Sequence, residues 1–548
     1  MRFAVPASIL FFSLQAAAAV SFRMSRPATP TNSFVEITVT SKPAIQNPFT
    51  IFGLRGRLRT PEGRDLTIDG FCDSPDGSIH RIRFLATAPG HYTYELSFDN
   101  GVERATYAGT FEATPSGTKG LLRVDPDYPM HFLWSGTGEH YFWNGLTTYA
   151  LLGWADEDYI KAIIDRAASY EVNRLRVTLV GPRVADASRW YEPVRPSSAF
   201  QFLYGPWLAD QQDNISDPRW DVTRFDTAFF QKVERVLAAA RARDIIISIV
   251  FFLDGEDPGA DPFGKARMFS EDAKRYYRYV NARLGAFSNV TWDITNEWHL
   301  FRNAWWVEQM GSYLKSLDPY QHLVSTHGRG EFPWAVSQWP DFALYQIWDE
   351  SGGYEPMLKR RLTQIATGHP IPQINEEYGY EDTYPEKWGG NRRPPSRNAD
   401  SRRRLAWEIT MAGCYQTTGE KASRNGDGKA PATPGGWING GFDDSMHMLE
   451  GYKYLVEFFK RIPYWKLEPI AARDDQAARV LAENETRYVV YLPNGGMALI
   501  PISEGIYSVS RYDPRNGNFT KLPDFQGKAW RTPDEVLGLD FAYLLERR

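Results

Sequence analysis

Strand-type and helix-type segments alternate along the middle of the chain, and this alternation restricts the possible folds more than any other feature of the sequence. Short apolar segments typical of buried strands occupy residues 140–149, 172–180, 244–252, 289–297, 322–327, 342–348, 371–377 and 414–420. Segments with the spacing of amphipathic helices occupy residues 156–170, 226–243, 271–287, 304–317, 354–367, 400–412 and 445–462. Such alternation predicts parallel strands joined by helices.

Two folds are built in this way. Eight strand–helix units over roughly 340 residues fit a (β/α)8 TIM barrel with insertions in its loops. A doubly wound open sheet is the alternative, and it is expected to carry a glycine-rich phosphate-binding loop after its first strand. The segment after Tyr149 reads ALLGWADED and contains no such loop. The sequence therefore predicts a TIM barrel, which we place at residues 119–463.

Shorter strand patterns flank the barrel on both sides. Between residues 34 and 115, apolar and polar residues alternate, and turn sequences such as Pro-Glu-Gly and Pro-Asp-Gly interrupt the alternation. This pattern is typical of an immunoglobulin-like β-sandwich, which is predicted for residues 20–118. A similar pattern follows Pro463, with a hairpin signal at residues 494–496. It predicts a small C-terminal β-sandwich at residues 464–548.

The first residues have the pattern of a secretory signal peptide. Arg2 precedes an apolar stretch that runs into the small-residue tract Ala16–Ala19. Cleavage is expected after Ala18 or Ala19, so that residues 1–19 are removed. An uncleaved membrane anchor is the alternative, although the apolar stretch is shorter than a full membrane span. The pattern predicts an exported protein, periplasmic or secreted, with no membrane span after cleavage.

Composition argues against several classes of function. The net charge of −5 argues against a nucleic-acid partner, for which a basic surface is expected. The nine His are scattered, and the two Cys form no zinc or disulfide pattern, so neither a metal nor another cofactor is predicted. The Gly-x-Ser-x-Gly motif of serine hydrolases is absent. The 61 Phe and Tyr and the 18 Trp exceed what cores need and are suited to stacking on sugars.

Two of the predicted strands end on glutamates. Strand 4 ends in WDITNEW, with Asn296 and Glu297, and strand 7 ends in INEEYGYE, with Glu376 and Glu377. Taken singly, each is an ordinary strand end with turn residues. In a TIM barrel, however, the C-terminal strand ends carry the chemistry, and strands 4 and 7 lie across the barrel from each other. Two carboxylates that flank one sugar bond are what a retaining glycoside hydrolase requires.

These motifs resemble those of the clan A glycoside hydrolases. WDITNEW resembles the Asn-Glu signature of the clan, in which the Glu after strand 4 is the acid/base, here Glu297. INEEYGYE is similar to the strand-7 motif Asp-Glu-x-Gly-Tyr-Glu, which places the nucleophile on Glu377. Glu376 falls where the motif has Asp and is the alternative nucleophile. Because adjacent strand residues face opposite ways, only one of the two is expected in the cleft, while the other faces solvent or caps the backbone.

The resemblance extends over nearly the whole chain. Arg176, in VNRLRVTLV, matches the arginine of the second strand that supports the nucleophile. GCYQTTGE, which ends in Glu420, resembles the strand-8 segment Gly-Gly-Tyr-x-Thr-His-Gly-Glu, with Thr418 in place of His. Because of this departure, the resemblance does not imply the family's substrate preference, although it still implies the family's chemistry. GWINGG, with Trp437, resembles the segment after strand 8. The order of domains is that of an apiosidase-like or cellulase-like barrel with an immunoglobulin-like N-terminal domain and a C-terminal domain of collagen-binding type.

Seven residues are predicted to bind substrate around the two glutamates: Tyr149, Arg176, Asn296, His327, Trp348, Glu420 and Trp437. Asn296 is expected to donate to the sugar hydroxyl beside the reacting carbon. His327 is expected to contact the substrate or Glu297, unless it is structural. The two tryptophans either stack on sugar rings or pack the loops.

Catalysis requires different protonation states of the two glutamates. Glu297 must begin protonated, which calls for a raised pKa. Glu377 must be ionised, and a neighbouring Arg176 is expected to lower its pKa. The sequence thus predicts a retaining glycosidase that acts on plant or algal poly- or oligosaccharides. There are two alternatives. One is a carbohydrate-binding protein without turnover, which would be favoured if either glutamate were missing. The other is a transglycosylase, which uses the same pair of glutamates. The oligomeric state is left open.

Overall fold

The computed structural model describes residues 20–181, 200, 204–211, 214, 217–253, 255, 259–348, 353–381, 398–419, 447–470 and 478–548. The proposed signal peptide, Glu420, Trp437 and most of the insertion after the second barrel strand lie outside these residues. Within them, no helix combines the length and apolar character needed to cross a bilayer.

The N-terminal region forms two sheets that pack face to face. Its strands are β1 (Ser21–Met24), β2 (Ala28–Pro30), β3 (Phe34–Thr40), β4 (Leu54–Arg59), β5 (Asp65–Asp69), β6 (Phe71–Cys72), β7 (Ile79–Leu85), β8 (Gly90–Asp99) and β9 (Arg104–Thr114). The sheet orders are β1-β3-β7-β6 and β2-β9-β8-β4-β5. Alternate residues of β3 and β8, such as Val35, Ile37 and Tyr94, are buried between the sheets. This confirms the predicted sandwich, whose alternation came from burying one face of each strand.

Among the described residues, nine parallel strands form the barrel. A small antiparallel sheet of β10 (Leu122–Val124), β11 (Phe132–Trp134) and β12 (His140–Tyr141) precedes it. The barrel strands are β13 (Asn144–Thr147), β14 (Arg174–Thr178), β17 (Ile246–Val250), β18 (Val290–Asp293), β19 (Val324–Ser325), β20 (His327–Arg329), β21 (Ala343–Gln346), β22 (Gln373–Glu377) and β23 (Tyr415–Thr418). A hairpin of β15 (Trp207–Ala209) and β16 (Trp220–Phe225) lies in the insertion.

The sheet order is β19-β18-β17-β14-β13-β23-β22-β21-β20. Because β19 and β20 are two pieces of the predicted fifth strand, separated by Thr326 alone, the sheet returns to its starting point and the barrel is nearly closed. The TIM barrel and all eight predicted strands are therefore confirmed. A doubly wound open sheet would leave its outer strands far apart in the chain.

Helices cover the outside of the barrel. They are α1 (Glu157–Ser169), α2 (Thr227–Arg241), α3 (Glu271–Leu284), α4 (Trp298–Phe301), α5 (Ala304–Leu317), α6 (Tyr354–Ala366), α7 (Ala399–Met411) and α8 (Met448–Phe459). The seven predicted helices are all present. No helix was predicted for residues 330–342, between β20 and β21, and this segment contains turns and no helix. Pro333 and Pro340 interrupt this segment and disfavour a helix there.

The C-terminal β domain is confirmed, and its strands are hydrogen-bonded into one antiparallel sheet. They are β24 (Glu468–Ile470), β25 (Arg479–Glu483), β26 (Arg487–Leu492), β27 (Leu499–Asp513), β28 (Asn518–Arg531) and β29 (Phe541–Arg547), in the order β24-β25-β26-β29-β27-β28. Val489 and Tyr491 of β26 join the core of the barrel, while Val490 and Leu492 belong to the core of the sheet itself. The domain boundaries stay predictions.

Buried ion pairs join the flanking domains to the barrel. Arg283 of α3 is fully buried and contacts Asp73 of the N-terminal domain at 2.6 Å and Glu234 of α2 at 2.5 Å. On the other side, Arg403 of α7 contacts Asp540 beside β29 at 2.7 Å. Such pairs are costly to break, because an unpaired charge would remain buried. They hold the barrel, and with it the strand ends, between two supporting domains.

Candidate active site

The two predicted catalytic glutamates lie at the same end of the barrel. Glu377 is the last residue of β22. Glu297 follows β18 and immediately precedes α4, with the left-handed backbone angles φ 37° and ψ 48°. This conformation is uncommon for a residue with a Cβ atom, and such backbone strain is concentrated at functional sites.

One side chain contacts both glutamates, and the sequence analysis did not single it out. Gln346, the last residue of β21, donates from Nε2 to Oε1 of Glu297 at 2.9 Å and to Oε1 of Glu377 at 3.1 Å. The two Oε1 atoms therefore lie no further apart than the sum of these distances, 6.0 Å. Since the two N–H bonds of an amide diverge by about 120°, a separation of about 5 Å is expected.

Donors and a positive charge surround the other oxygen of Glu377. Its Oε2 lies 3.4 Å from the hydroxyl of Tyr149, 3.7 Å from Nη1 of Arg176 and 4.0 Å from Nε2 of His327. Burial raises the pKa of the Glu377 carboxyl above its usual value. The charge of Arg176 lowers this pKa, as expected, but it does not outweigh burial, so the net shift is upward.

Asn296 joins the same hydrogen-bond network. Its Oδ1 accepts from Nη2 of Arg176 at 2.9 Å and from the hydroxyl of Tyr149 at 3.1 Å. It also lies against Nδ1 of His327. Among the described contacts, Nδ2 of Asn296 makes only a long hydrogen bond, 3.4 Å to the carbonyl of Leu253. The amide N–H groups are thus lightly engaged, which is compatible with the predicted contact to a sugar hydroxyl.

His327 is tied to this network rather than to Glu297. Its Nδ1 lies 2.8 Å from Nη2 of Arg176 and against Oδ1 of Asn296. Burial, followed by the charge of Arg176, lowers the pKa of His327 well below its usual value, so the imidazole is neutral. A contact of His327 with substrate stays a prediction.

Glu376 is not in the position that strand geometry predicts. It is fully buried, and its Oε1 lies 2.7 Å from Nη1 of Arg174 and 2.9 Å from Nε of Arg176. The expectation that Glu376 and Glu377 face opposite ways was wrong, because both contact Arg176. Tyr345 pairs with Asn375 and Gln346 with Glu377, so Glu376 is the extra residue of a β-bulge. The expected solvent-facing or capping role is likewise wrong.

Asp293 is a further buried carboxyl group near Arg176. It ends β18, is fully buried, and lies 4.0 Å from Nη2 of Arg176 through Oδ2. Burial raises its pKa to about 7 despite the charge of Arg176. Its position inside an apolar strand sequence was the only signal in the sequence. Gln346, by contrast, ends a predicted strand, so the rule that barrel chemistry sits at strand ends could have found it.

The aromatic candidates are only partly described. The ring of Trp348 is half-buried and packs edge-on against Tyr380, with 5.5 Å between the ring centroids. Tyr380 lies beside Glu377, where its hydroxyl lowers the pKa of that carboxyl. Thr418 is buried, and its hydroxyl donates to the carbonyl of Gly379 at 3.3 Å. Within the described ranges, no group of three or more metal-ligating side chains is assembled.

Several known structures share this fold. A Bacteroides vulgatus protein assigned as a glycoside hydrolase matches with a TM-score of 0.76 and 20% identity, over 95% of this chain and 100% of its own. A family 5 glycoside hydrolase from the same organism matches with a TM-score of 0.59 and 18% identity, over 78% of this chain and 94% of its own. At these identities the likeness concerns the fold. A comparison with curated proteins gives no match.

Family models match two parts of the sequence. Residues 30–99 match a domain of unknown function, DUF5060, and residues 129–422 match the apiosidase-like catalytic domain. The second match covers more than half of the 548 residues and includes both glutamates. The chain therefore belongs to the family of apiosidase-like catalytic domains, and its barrel is that of a glycosidase.

Proposed function

We propose that this glycosidase is a retaining enzyme in which Glu377 is the nucleophile and Glu297 the acid/base. The observation that carries the proposal is the contact of one amide nitrogen with both carboxylates, at 2.9 and 3.1 Å. Retaining enzymes hold their carboxyl groups about 5 to 5.5 Å apart, whereas inverting enzymes need about 6.5 to 9.5 Å to admit water. The upper limit of 6.0 Å here favours retention.

The surroundings of each carboxyl support the assignment of roles. Glu377 lies next to a fixed positive charge, that of Arg176, which favours an ionised nucleophile. Glu376 forms ion pairs with two arginines and its side chain is 0% exposed, so it is not accessible to a sugar. Glu297 shares the donor Nε2 of Gln346 with Glu377, which places it within reach of the same substrate bond, as the acid/base must be.

The proposed reaction has two displacements. First, an oxygen of the Glu377 carboxylate bonds to the anomeric carbon while the glycosidic C–O bond breaks, and Glu297 gives its proton to the leaving oxygen. Then water attacks the same carbon, gives its proton to Glu297 and breaks the ester bond, which restores the Glu377 carboxylate. Arg176 and the hydroxyl of Tyr149 hold the nucleophile in place.

For the substrate, we propose only a broad chemical class. The resemblance to clan A enzymes suggests glycosidic bonds in plant or algal poly- or oligosaccharides, with Asn296 near the sugar hydroxyl beside the reacting carbon and Trp348 as a stacking surface. A transglycosylase would use the same pair of glutamates and differ only in the acceptor. The N-terminal pattern further suggests that the protein acts outside the cytoplasm. Incubation with a panel of plant and algal polysaccharides, followed by analysis of the products, identifies the substrate.

Retention of configuration is the direct test of this mechanism. Because two inversions take place at the anomeric carbon, the first-formed product should keep the anomeric configuration of the substrate. Proton NMR of an early time point, before mutarotation, distinguishes the two anomers. A first product of inverted configuration would contradict the pairing of Glu297 with Glu377.

The acidic limb of the pH profile of activity is expected to report the ionisation of Glu377. The nucleophile reacts only when it is ionised, and burial raises its pKa above the usual value. Activity should therefore be lost as the pH falls through a value above about 4.3, the ordinary glutamate pKa. The pH dependence of kcat/KM, which reports the free enzyme, measures this value. A limb at or below the ordinary value would show that burial does not dominate at this carboxyl.

A further inference from the structure

Gln346 stands out because it serves both carboxyl groups with one nitrogen atom. It is 8% exposed, and its position on the end of β21 is held by pairing with Glu377 on β22. Its Nε2 carries two hydrogens, and the geometry directs one to Oε1 of Glu297 and the other to Oε1 of Glu377. The donor group is therefore fully used by the two glutamates.

We propose that Gln346 is a positioning residue that donates a hydrogen bond to whichever glutamate bears the negative charge in each half-reaction. The proposal rests on the proposed two-step function. In the resting enzyme Glu377 is ionised and Glu297 is protonated. After the first step Glu377 is a neutral ester and Glu297 has lost its proton, so the negative charge has moved from one carboxyl group to the other across about 5 Å.

The amide is suited to this transfer because it need not move. The ester carbonyl oxygen of Glu377 can still accept its hydrogen bond, as can the carbonyl oxygen of a protonated Glu297. In each state, one of the two hydrogen bonds runs to an ionised oxygen and is the stronger of the two. Gln346 thus keeps both carboxyl groups at a fixed separation while the charge changes sides.

The amide of Gln346 carries no charge. A cation at this position would favour the ionised form of Glu297 and so deplete the proton that the first step requires. Arg176 places a positive charge beside the nucleophile, with its Nη1 3.7 Å from Glu377. The other groups of Arg176 contact Glu376 and Asn296. Arg176 therefore supplies a positive charge beside Glu377, and Gln346 supplies a neutral donor to both glutamates.

The test is Gln346→Met, which keeps the side-chain length and removes both donors. Each carboxylate then loses a hydrogen bond that favours its ionised form, so the pKa of both groups should rise, by about one unit. These pKa values can be followed by carbon NMR of protein labelled at the glutamate carboxyl carbon. The resonances of Glu297 and Glu377 are identified by their loss in Glu297→Gln and Glu377→Gln. This measurement needs no substrate.

The same variant should show a second effect on turnover. Both limbs of the pH profile of kcat/KM should move to higher pH, with a loss of about tenfold or more at the wild-type optimum. Gln416→Met is the matched control, because Gln416 is a buried barrel glutamine whose Nε2 donates to Asn144 at 2.6 Å. It should leave both glutamate pKa values unchanged, even if the thermal midpoint of unfolding falls.

The outcomes separate this proposal from the proposed function. A rise in both pKa values in Gln346→Met, with no change in Gln416→Met, supports the shared hydrogen bonding. If only the Glu377 value rises, or if neither does, the proposal is overturned, whatever the reaction proves to be. The two-step function fails on other evidence, namely an inverted first product from the wild-type enzyme.

Discussion

Glu377→Ala is expected to fold as the wild type does and to lose turnover by a factor on the order of 10⁴ or more, because it removes the group that forms the glycosyl ester. Little stability should be lost. The Glu377 carboxyl is buried at the cost of a raised pKa, and Arg176 keeps its contact with Glu376 at 2.9 Å. Hydrolysis rates and circular dichroism of the purified variant measure the two quantities.

Azide distinguishes the nucleophile from the acid/base. In Glu377→Ala, azide should enter the space that the carboxylate vacates and give a glycosyl azide of inverted configuration. Glu297→Ala is the matched control. Its nucleophile is intact, so with an activated leaving group the ester forms, and azide then opens it to a product of retained configuration. Normal activity of Glu377→Ala together with an inactive but folded Glu376→Ala would reverse the assignment of the two neighbours.

Glu376→Ala is expected to lower the free energy of unfolding of the barrel by about 3 to 5 kcal/mol. Glu376 is the closest anion to two fully buried arginines, with contacts of 2.7 Å to Arg174 and 2.9 Å to Arg176. Its removal leaves Arg176 with two more distant carboxyl groups, Glu377 at 3.7 Å and Asp293 at 4.0 Å, and the pKa of each is raised, that of Asp293 to about 7. Urea unfolding, followed on the transition that includes the barrel, measures the loss.

The control for this prediction is the neighbouring residue. Glu377→Ala changes the same atoms one residue further along the chain, at a carboxyl that lies 3.7 Å from Arg176 rather than 2.9 Å. Glu376→Ala should therefore lose stability, whereas Glu377→Ala should lose catalysis. Equal midpoints of unfolding for Glu376→Ala and the wild type would show that the arginines do not depend on Glu376.

The sequence by itself determined which elements form and which strand ends carry the chemistry. Helices such as α2 and α3 could be predicted because apolar spacing and a capping residue, Asp226 or Ser270, act within a few residues. Glu297 and Glu377 could be named because each belongs to a short local motif at the end of an apolar strand. These signals depend on neighbours in the chain, which a sequence displays directly.

Only the tertiary structure decided how these residues work together. The inward position of Glu376 follows from a bulge that exists only in the pairing of β22 with β21. Gln346 acquires its role from two partners that lie 49 and 31 residues away in the chain. The pKa of Glu377 rises because burial outweighs the charge of Arg176, a residue that the sequence had already identified. Burial, strand register and distances between remote side chains arise only when the chain is closed into a barrel, since no local pattern encodes them.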